Sequence, residues 1–177
     1  IIYINHFDST IIDEILKHIG QGVKFVEYNT ALGVIDFNTK SPMHECSLEQ
    51  FLKLTMDDGY EQNTFIILKD IHESIKEPKV VSLLKRIAES IMYNIAYMGT
   101  VFIIAPKLVI PLELEHYITV FEVPLPTSEE GLEIIKNFVS DLDINMEDEV
   151  INDMALSFKG LNEFQIRQIL NLAYQDG

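Results

Sequence analysis

The chain is poor in arginine, cysteine and glycine, and each shortage closes off a class of function. Arg86 and Arg167 are the only arginines. Two guanidinium forks are too few for a surface that reads phosphate bidentately. Thirteen lysines and arginines stand against 28 aspartates and glutamates, a net charge of −15. A nucleic-acid backbone is repelled by such a field, so no nucleic-acid partner is expected. Cys46 is the single cysteine, which excludes an internal disulfide and a thiolate zinc cluster and points to a cytoplasmic setting. No apolar run approaches the roughly 20 residues that span a bilayer. The run Thr100 to Pro106 falls far short, so no membrane partner is expected either. Ile1 to Ile4 is apolar, but Asn5, His6 and Asp8 break it and no basic segment precedes it, so no leader is read there. A first residue other than Met suggests a piece of a longer polypeptide.

What is present is a succession of short apolar runs and helical stripes. Ile1–Ile4 reads as a buried strand. Ser9 then stands as N-cap before Ile11, Ile12, Ile15, Leu16 and Ile19, a stripe that Gly20 and Gly22 stop. Val23 to Tyr28 is a second strand. Ala31 to His44 is rich in turn residues, with a short extra strand over Val34 to Phe37. Ser47 and Gln50 have capping-box spacing before a helix carrying Leu48, Phe51, Leu52 and Met56, which Asp58-Gly59 ends. Thr64 to Leu68 is the third strand. Pro78 opens a long helix to about Tyr97, and Thr100 to Ala105 is the fourth strand. A short helix over Leu112 to His116 leads to the fifth strand, Ile118 to Val123. Strands this continuously apolar belong to a sheet covered on both faces, hence to parallel α/β packing.

After Pro124 and Pro126 only helical patterns remain. Ser128 is placed to cap a helix with Leu132, Ile135, Phe138 and Val139, and Glu147–Phe158 and Asn162–Tyr174 supply two more. The stretch Thr127 to Gly177 holds 11 acids and three bases, so −8 of the charge sits there.

In open parallel sheets ligands bind beyond the carboxyl ends of the strands. Three loops share that edge: Asn5-His6-Phe7-Asp8-Ser9-Thr10, Lys69-Asp70-Ile71-His72-Glu73, and Pro106-Lys107. A phosphate-cradling loop needs glycines, so that backbone N–H groups converge on the anion, and a lysine. Neither residue type occurs between the first strand and Lys17, and Asp8 adds a like charge. Asp70 stands where an acid at the end of an apolar strand would hold Mg²⁺ through water, with His72 near the place of a second acid. Both are read as remnants of that arrangement, with Asp70 a turn-capping carboxylate. His6, His72, Asp8, Asp70 and Glu73 offer an alternative metal or hydrolase site, but no enforcing spacing such as HExxH occurs. His18, His44 and His116 are scattered. Cys46 lies beside Glu45, and a neighbouring acid raises a thiol's pKa.

Five strands followed by a helical lid resemble a module of the AAA+ ATPases, in particular the N-terminal half, without a nucleotide loop, of the AAA ATPases of cyanobacteria, plastids and other bacteria. The resemblance rests on Phe65-Ile66-Ile67-Leu68-Lys69-Asp70-Ile71-His72, Phe102-Ile103-Ile104-Ala105-Pro106, Ile110-Pro111-Leu112-Glu113-Leu114-Glu115, Val123-Pro124-Leu125-Pro126 and Gly160-Leu161-Asn162-Glu163. It implies a three-layer P-loop-NTPase-like parallel sheet, strand order 5-1-4-3-2, over residues 1–125, and a small all-helical lid over 126–177. In catalytic modules of the family a polar sensing residue ends strand four, where Ala105-Pro106 stands here. Arginine fingers lie between strands four and five, yet Pro106 to Thr119 has none. A lid arginine reaches the γ-phosphate, whereas Arg167 lies past the opening turn of its helix. Lys107 would substitute only as a point charge.

The expectation is therefore a module with a degenerate Walker A loop and no catalytic, cofactor-binding or metal-binding residues of its own, Asp70 and His72 being vestigial Walker B-like positions. The resemblance implies that ATP and Mg²⁺ belong to a downstream ATPase module of the same chain, and that the parent forms a homo-oligomer. Two further readings stay open: a free-standing metal-dependent hydrolase using the acid and histidine edge, and an interaction domain unrelated to nucleotide.

Overall fold

The computed structural model describes residues 1–57, 63–93 and 99–175. They form two compact units, Ile1–Val123 and Pro124–Gly177. The first unit is built on strands β1 (Ile2–Asn5), β2 (Lys24–Asn29), β3 (Gly33–Ile35), β4 (Pro42–His44), β5 (Thr64–Lys69), β6 (Gly99–Ala105) and β7 (Thr119–Phe121). They form one sheet in the order β4-β3-β2-β5-β6-β1-β7. The strands β2, β5, β6, β1 and β7 pair in parallel, which is the expected 5-1-4-3-2 order read from the opposite edge.

The sheet departs from the expectation in one respect. An antiparallel hairpin, β3–β4, extends it beyond β2. The extra strand expected over Val34 to Phe37 forms as Gly33–Ile35, and β4 was not foreseen. Pro42 opens β4 at the sheet edge, where a missing N–H costs no ladder bond. Gly33 makes the turn possible. Its φ is +73°, and a Cβ there would stand 2.6 Å from the carbonyl oxygen of His44.

Three layers result. Helices α2 (Leu48–Asp57) and α3 (Pro78–Tyr93) bury Phe51, Leu52, Leu84 and Ile87 against Ile66, Leu68, Val101 and Ile103. Helix α1 (Ser9–Ile19) buries Ile12 and Leu16 on the other face, against Ile4, Ile67, Phe102 and Ile104. Along β5 and β6 successive side chains therefore serve opposite cores, which explains the unbroken apolar runs. Each such side chain contributes roughly 1.5–3 kcal/mol by leaving water. The loop between β3 and β4 joins the α1 side through Phe37, which stacks on Phe25 with ring centroids 4.5 Å apart.

The helix ends correct several boundaries. Asp8, not Ser9, caps α1, because its carboxylate is the stronger acceptor at the positive helix end. Ser47 and Gln50 do close a reciprocal capping box at α2. The stop expected at Asp58-Gly59 and the last turn of α3 expected to Tyr97 lie outside the described residues. The short helix over Leu112–Tyr117 is 3₁₀, and β7 is shorter than the run Ile118 to Val123.

The second unit contains α4 (Ser128–Asp141), α5 (Asp148–Ser157) and α6 (Glu163–Gln175), packed around Ile135, Phe138, Ile151, Ile166 and Leu170. Thr127, one residue earlier than expected, caps α4. The Glu130 N–H donates to its hydroxyl at 3.2 Å, and the Thr127 N–H donates to the Glu130 carboxylate at 2.8 Å. Thr127→Ala should lower the stability of this unit by about 1 kcal/mol. Chemical denaturation followed by helical circular dichroism measures it, and Thr127→Asp should lose much less.

Candidate functional site at the carboxyl edge of the sheet

The loops that leave β1, β5 and β6 meet at one edge because each is tied to the end of β6. The His6 N–H donates to the carbonyl of Ala105 at 3.1 Å, and the Asp70 N–H donates to the carbonyl of Ile104 at 3.0 Å. The Asn5 amide, turned with its nitrogen toward β6, donates to the carbonyls of Ala105 and Pro106 at 3.3 and 3.1 Å. The buried Tyr3 hydroxyl donates to the carbonyl of Lys107 at 2.6 Å and accepts from the Val109 N–H at 3.3 Å. Burial pushes the Tyr3 phenol up from its ordinary value.

At the start of α1 the chain supplies its own anion. The Asp8 carboxylate accepts from the Thr10 N–H at 2.9 Å. Helix N-termini attract anions through such free N–H groups, and here a carboxylate already fills that role. His6 turns back on the same turn, its Nδ1 3.0 Å from the Asp8 carbonyl oxygen and 3.1 Å from the Asp8 nitrogen. Its ring stacks on Phe7 with centroids 5.0 Å apart.

Asp70 adopts the left-handed conformation, φ +57°, at the end of β5. Its carbonyl accepts from the Thr30 hydroxyl at 3.0 Å, and its side chain is exposed. The turn-capping bond expected of its carboxylate is absent among the described contacts; the backbone of Asp70, not its side chain, makes the hydrogen bonds, to β6 and to Thr30. His72 is half-buried, with a buried Nδ1 that has no hydrogen-bond partner. Glu73 pairs with Lys76 at 2.7 Å, and that hydrogen bond holds its carboxyl below the usual range. Among the described residues no three of His, Cys, Asp and Glu converge as a metal ion would require.

The charged residues that the sequence reading passed over lie immediately beneath this edge. Lys69, the last residue of β5, is buried, and so are Asp13 on α1 and Glu27 on β2. The Lys69 ammonium stands 2.8 Å from Asp13 Oδ2 and 3.2 Å from Glu27 Oε1. Lys40, from the β3–β4 loop, closes the group at 2.7 Å from Asp13 and 2.6 Å from Glu27. It also lies 4.1 Å above the Phe37 ring. Burial works against the charge on Lys40, but the hydrogen bonds and charges of Asp13 and Glu27 outweigh it and hold its pKa above the ordinary lysine value. Two ammoniums and two carboxylates leave the group neutral. The clue was positional: Asp13 falls beside Ile12 and Leu16 on the buried stripe, and Glu27 and Lys69 fall inside buried strands.

Other residues singled out are placed elsewhere. Arg167 pairs with Glu163 of its own helix at 2.8 Å. Cys46 is half-buried against the α2–α3 core, and burial, not the charge of Glu45, raises its pKa.

Substitutions at Lys69 and at Asp70 separate these roles. Lys69→Met should cost about 3–5 kcal/mol in urea denaturation, because Asp13 and Glu27 stay buried with one cation between them. Adding Asp13→Leu should recover part of that loss, since Glu27 then keeps Lys40 to itself. At Asp70, Asn should change stability by less than about 1 kcal/mol, because it tolerates a positive φ. Asp70→Val should cost about 1–3 kcal/mol through backbone strain.

Residues 1–123 match the family model described as the SpoVK-like AAA ATPase, N-terminal domain. A ycf46 AAA domain-containing protein of Guillardia theta is 25% identical over 179 residues, covering 96% of this chain and 34% of its own length. The ycf46 protein of Gracilaria tenuistipitata var. liui is 28% identical over 111 residues, covering 62% of this chain and 22% of its own. The chain thus spans about a third or less of the curated relatives it matches. A solved structure of a RuvB mutant from Thermotoga maritima superposes with a TM-score of 0.60 at 17% identity, covering 94% of this chain and 52% of that one. That likeness shows a shared fold. By the match over residues 1–123, the chain belongs to the SpoVK-like AAA ATPase N-terminal domain family.

Proposed function

We propose that this chain is a non-catalytic AAA module of a longer cytoplasmic AAA-family ATPase, serving in assembly, regulation or partner binding. In this reading ATP and Mg²⁺ are held, and ATP is hydrolysed, by a downstream module of the same polypeptide, and the parent forms a homo-oligomer. The observation that carries the reading is the Asp8 carboxylate on the α1 N-terminus. A triphosphate entering there would have to displace that carboxylate and then lie beside it. No glycine frees the backbone to wrap the phosphates, and no lysine precedes Lys17 to neutralise them. At the end of β5 the buried Lys69 is already committed to Asp13 and Glu27, and Asp70 beyond it is exposed. The relatives' greater length supports a longer parent. Among the described residues no helix is long and apolar enough to cross a membrane. A metal-dependent hydrolase would need converging ligands that the described residues do not offer.

Calorimetry with millimolar Mg-ATP tests the proposal on the chain itself. No binding tighter than about 10 μM, roughly 7 kcal/mol, is expected. A tighter site would overturn the reading, and so would a full-length gene that continues without a GxxxxGK[ST] loop.

A further inference from the structure

We propose that the helical unit Pro124–Gly177 carries a docking groove for a basic amphipathic helix of a partner protein. Every residue lining the groove belongs to this unit and none to the sheet, so the inference stands whichever way the nucleotide question falls. It has a volume of about 410 Å³ and is lined by Phe138 and Val139 of α4, Ile144 and Met146 of the α4–α5 connection, Met154 of α5 and Leu170 of α6. The lining is apolar, and its two thioethers adapt readily to the shape of a ligand.

The charge around the groove specifies the partner. Along the connection the side chains alternate. Ile144 and Met146 turn inward, while Asp143, Asn145 and Glu147 are exposed. With Asp141, Asp148 and Glu149 the segment 141–149 carries five acids and no base. Among the described residues none of these five carboxylates has an ion-pair partner. An apolar floor bordered by unpaired carboxylates favours apolar anchors flanked by lysine or arginine. The fold of the unit specifies the shape. Its described residues form no strand, so an extended segment finds no sheet edge to bond its backbone. A helix satisfies its own backbone and offers anchors at i, i+3 and i+7. A second copy of this chain fits poorly, because each copy brings a charge of −15.

The test uses the ¹⁵N-labelled chain and an amphipathic peptide of about 14 residues, leucine on one face and lysine on the other. A counterpart with glutamate for lysine is the control. The lysine peptide should shift amide signals of residues 138–146, 154 and 170–174, and should bind at least about tenfold more tightly than the glutamate peptide. Ala173→Arg, at an exposed position lining the groove, should weaken binding about tenfold with helical circular dichroism unchanged. Asp141→Asn combined with Glu147→Gln should weaken it several-fold. Four results would each overturn the proposal: no binding, equal affinity for both peptides, shifts spread over residues 1–123, or groove shifts produced by raising the protein concentration alone.

Discussion

A lysine ammonium sealed beneath α1, between a carboxylate of that helix and one of β2, constrains the whole carboxyl edge of the sheet. Taking Lys69, Asp13 and Glu27 out of water costs several kcal/mol for each ion, and only close mutual contact offsets it. Those contacts run between four separate segments: α1, β2, β5 and the β3–β4 loop that brings Lys40. A slip of any one segment would strand a buried charge. The network therefore acts less as a source of stability than as a condition on register, holding α1 at one position over the strands. Among the described residues, the one buried carboxylate oxygen without a partner, Asp13 Oδ1, is a place where an internal water would be held.

With α1 fixed, its N-terminus must open where β1 ends, which is where phosphate-binding folds of this architecture place their anion. In this chain the local residues reverse that chemistry. Asp8 meets the helix end, His6 and Asn5 tie their turn to the backbone around β6, and Tyr3 pins the loop beyond it. The loops of the edge are tied to one another by hydrogen bonds, while the Asp70 side chain stays exposed and His72 Nδ1 has no partner.

The helical unit is organised differently. Its core is small, its described carboxylates are mostly unpaired, and two of its three helices begin with local capping boxes. Thr127 with Glu130 and Asn162 with Gln165 form reciprocal boxes, while Glu147 opens α5 without one. Electrostatic repulsion within such a unit is modest in salt, because exposed charges are screened over about 8–10 Å. The same charges remain available at its surface to any cation that approaches.

The sequence by itself determined most of the elements, the parallel sheet and the change to helices after Pro126. Periodicity and capping are local, and the unbroken apolar runs of β5 and β6 can be satisfied only by cover on both faces. It also decided the absence of a glycine-rich loop, since that absence is a matter of residue type. The β4 strand, the cap at Asp8 and the left-handed Asp70 were not legible, because each depends on where a backbone turns within one or two residues. Least legible was the ion network. Asp13, Glu27, Lys40 and Lys69 are far apart in the chain, and although three of them fall at buried positions, nothing local shows which charges meet. Only the tertiary structure decided that they share one buried space, because the attraction that offsets their desolvation exists only once α1, β2, β5 and the β3–β4 loop are packed together.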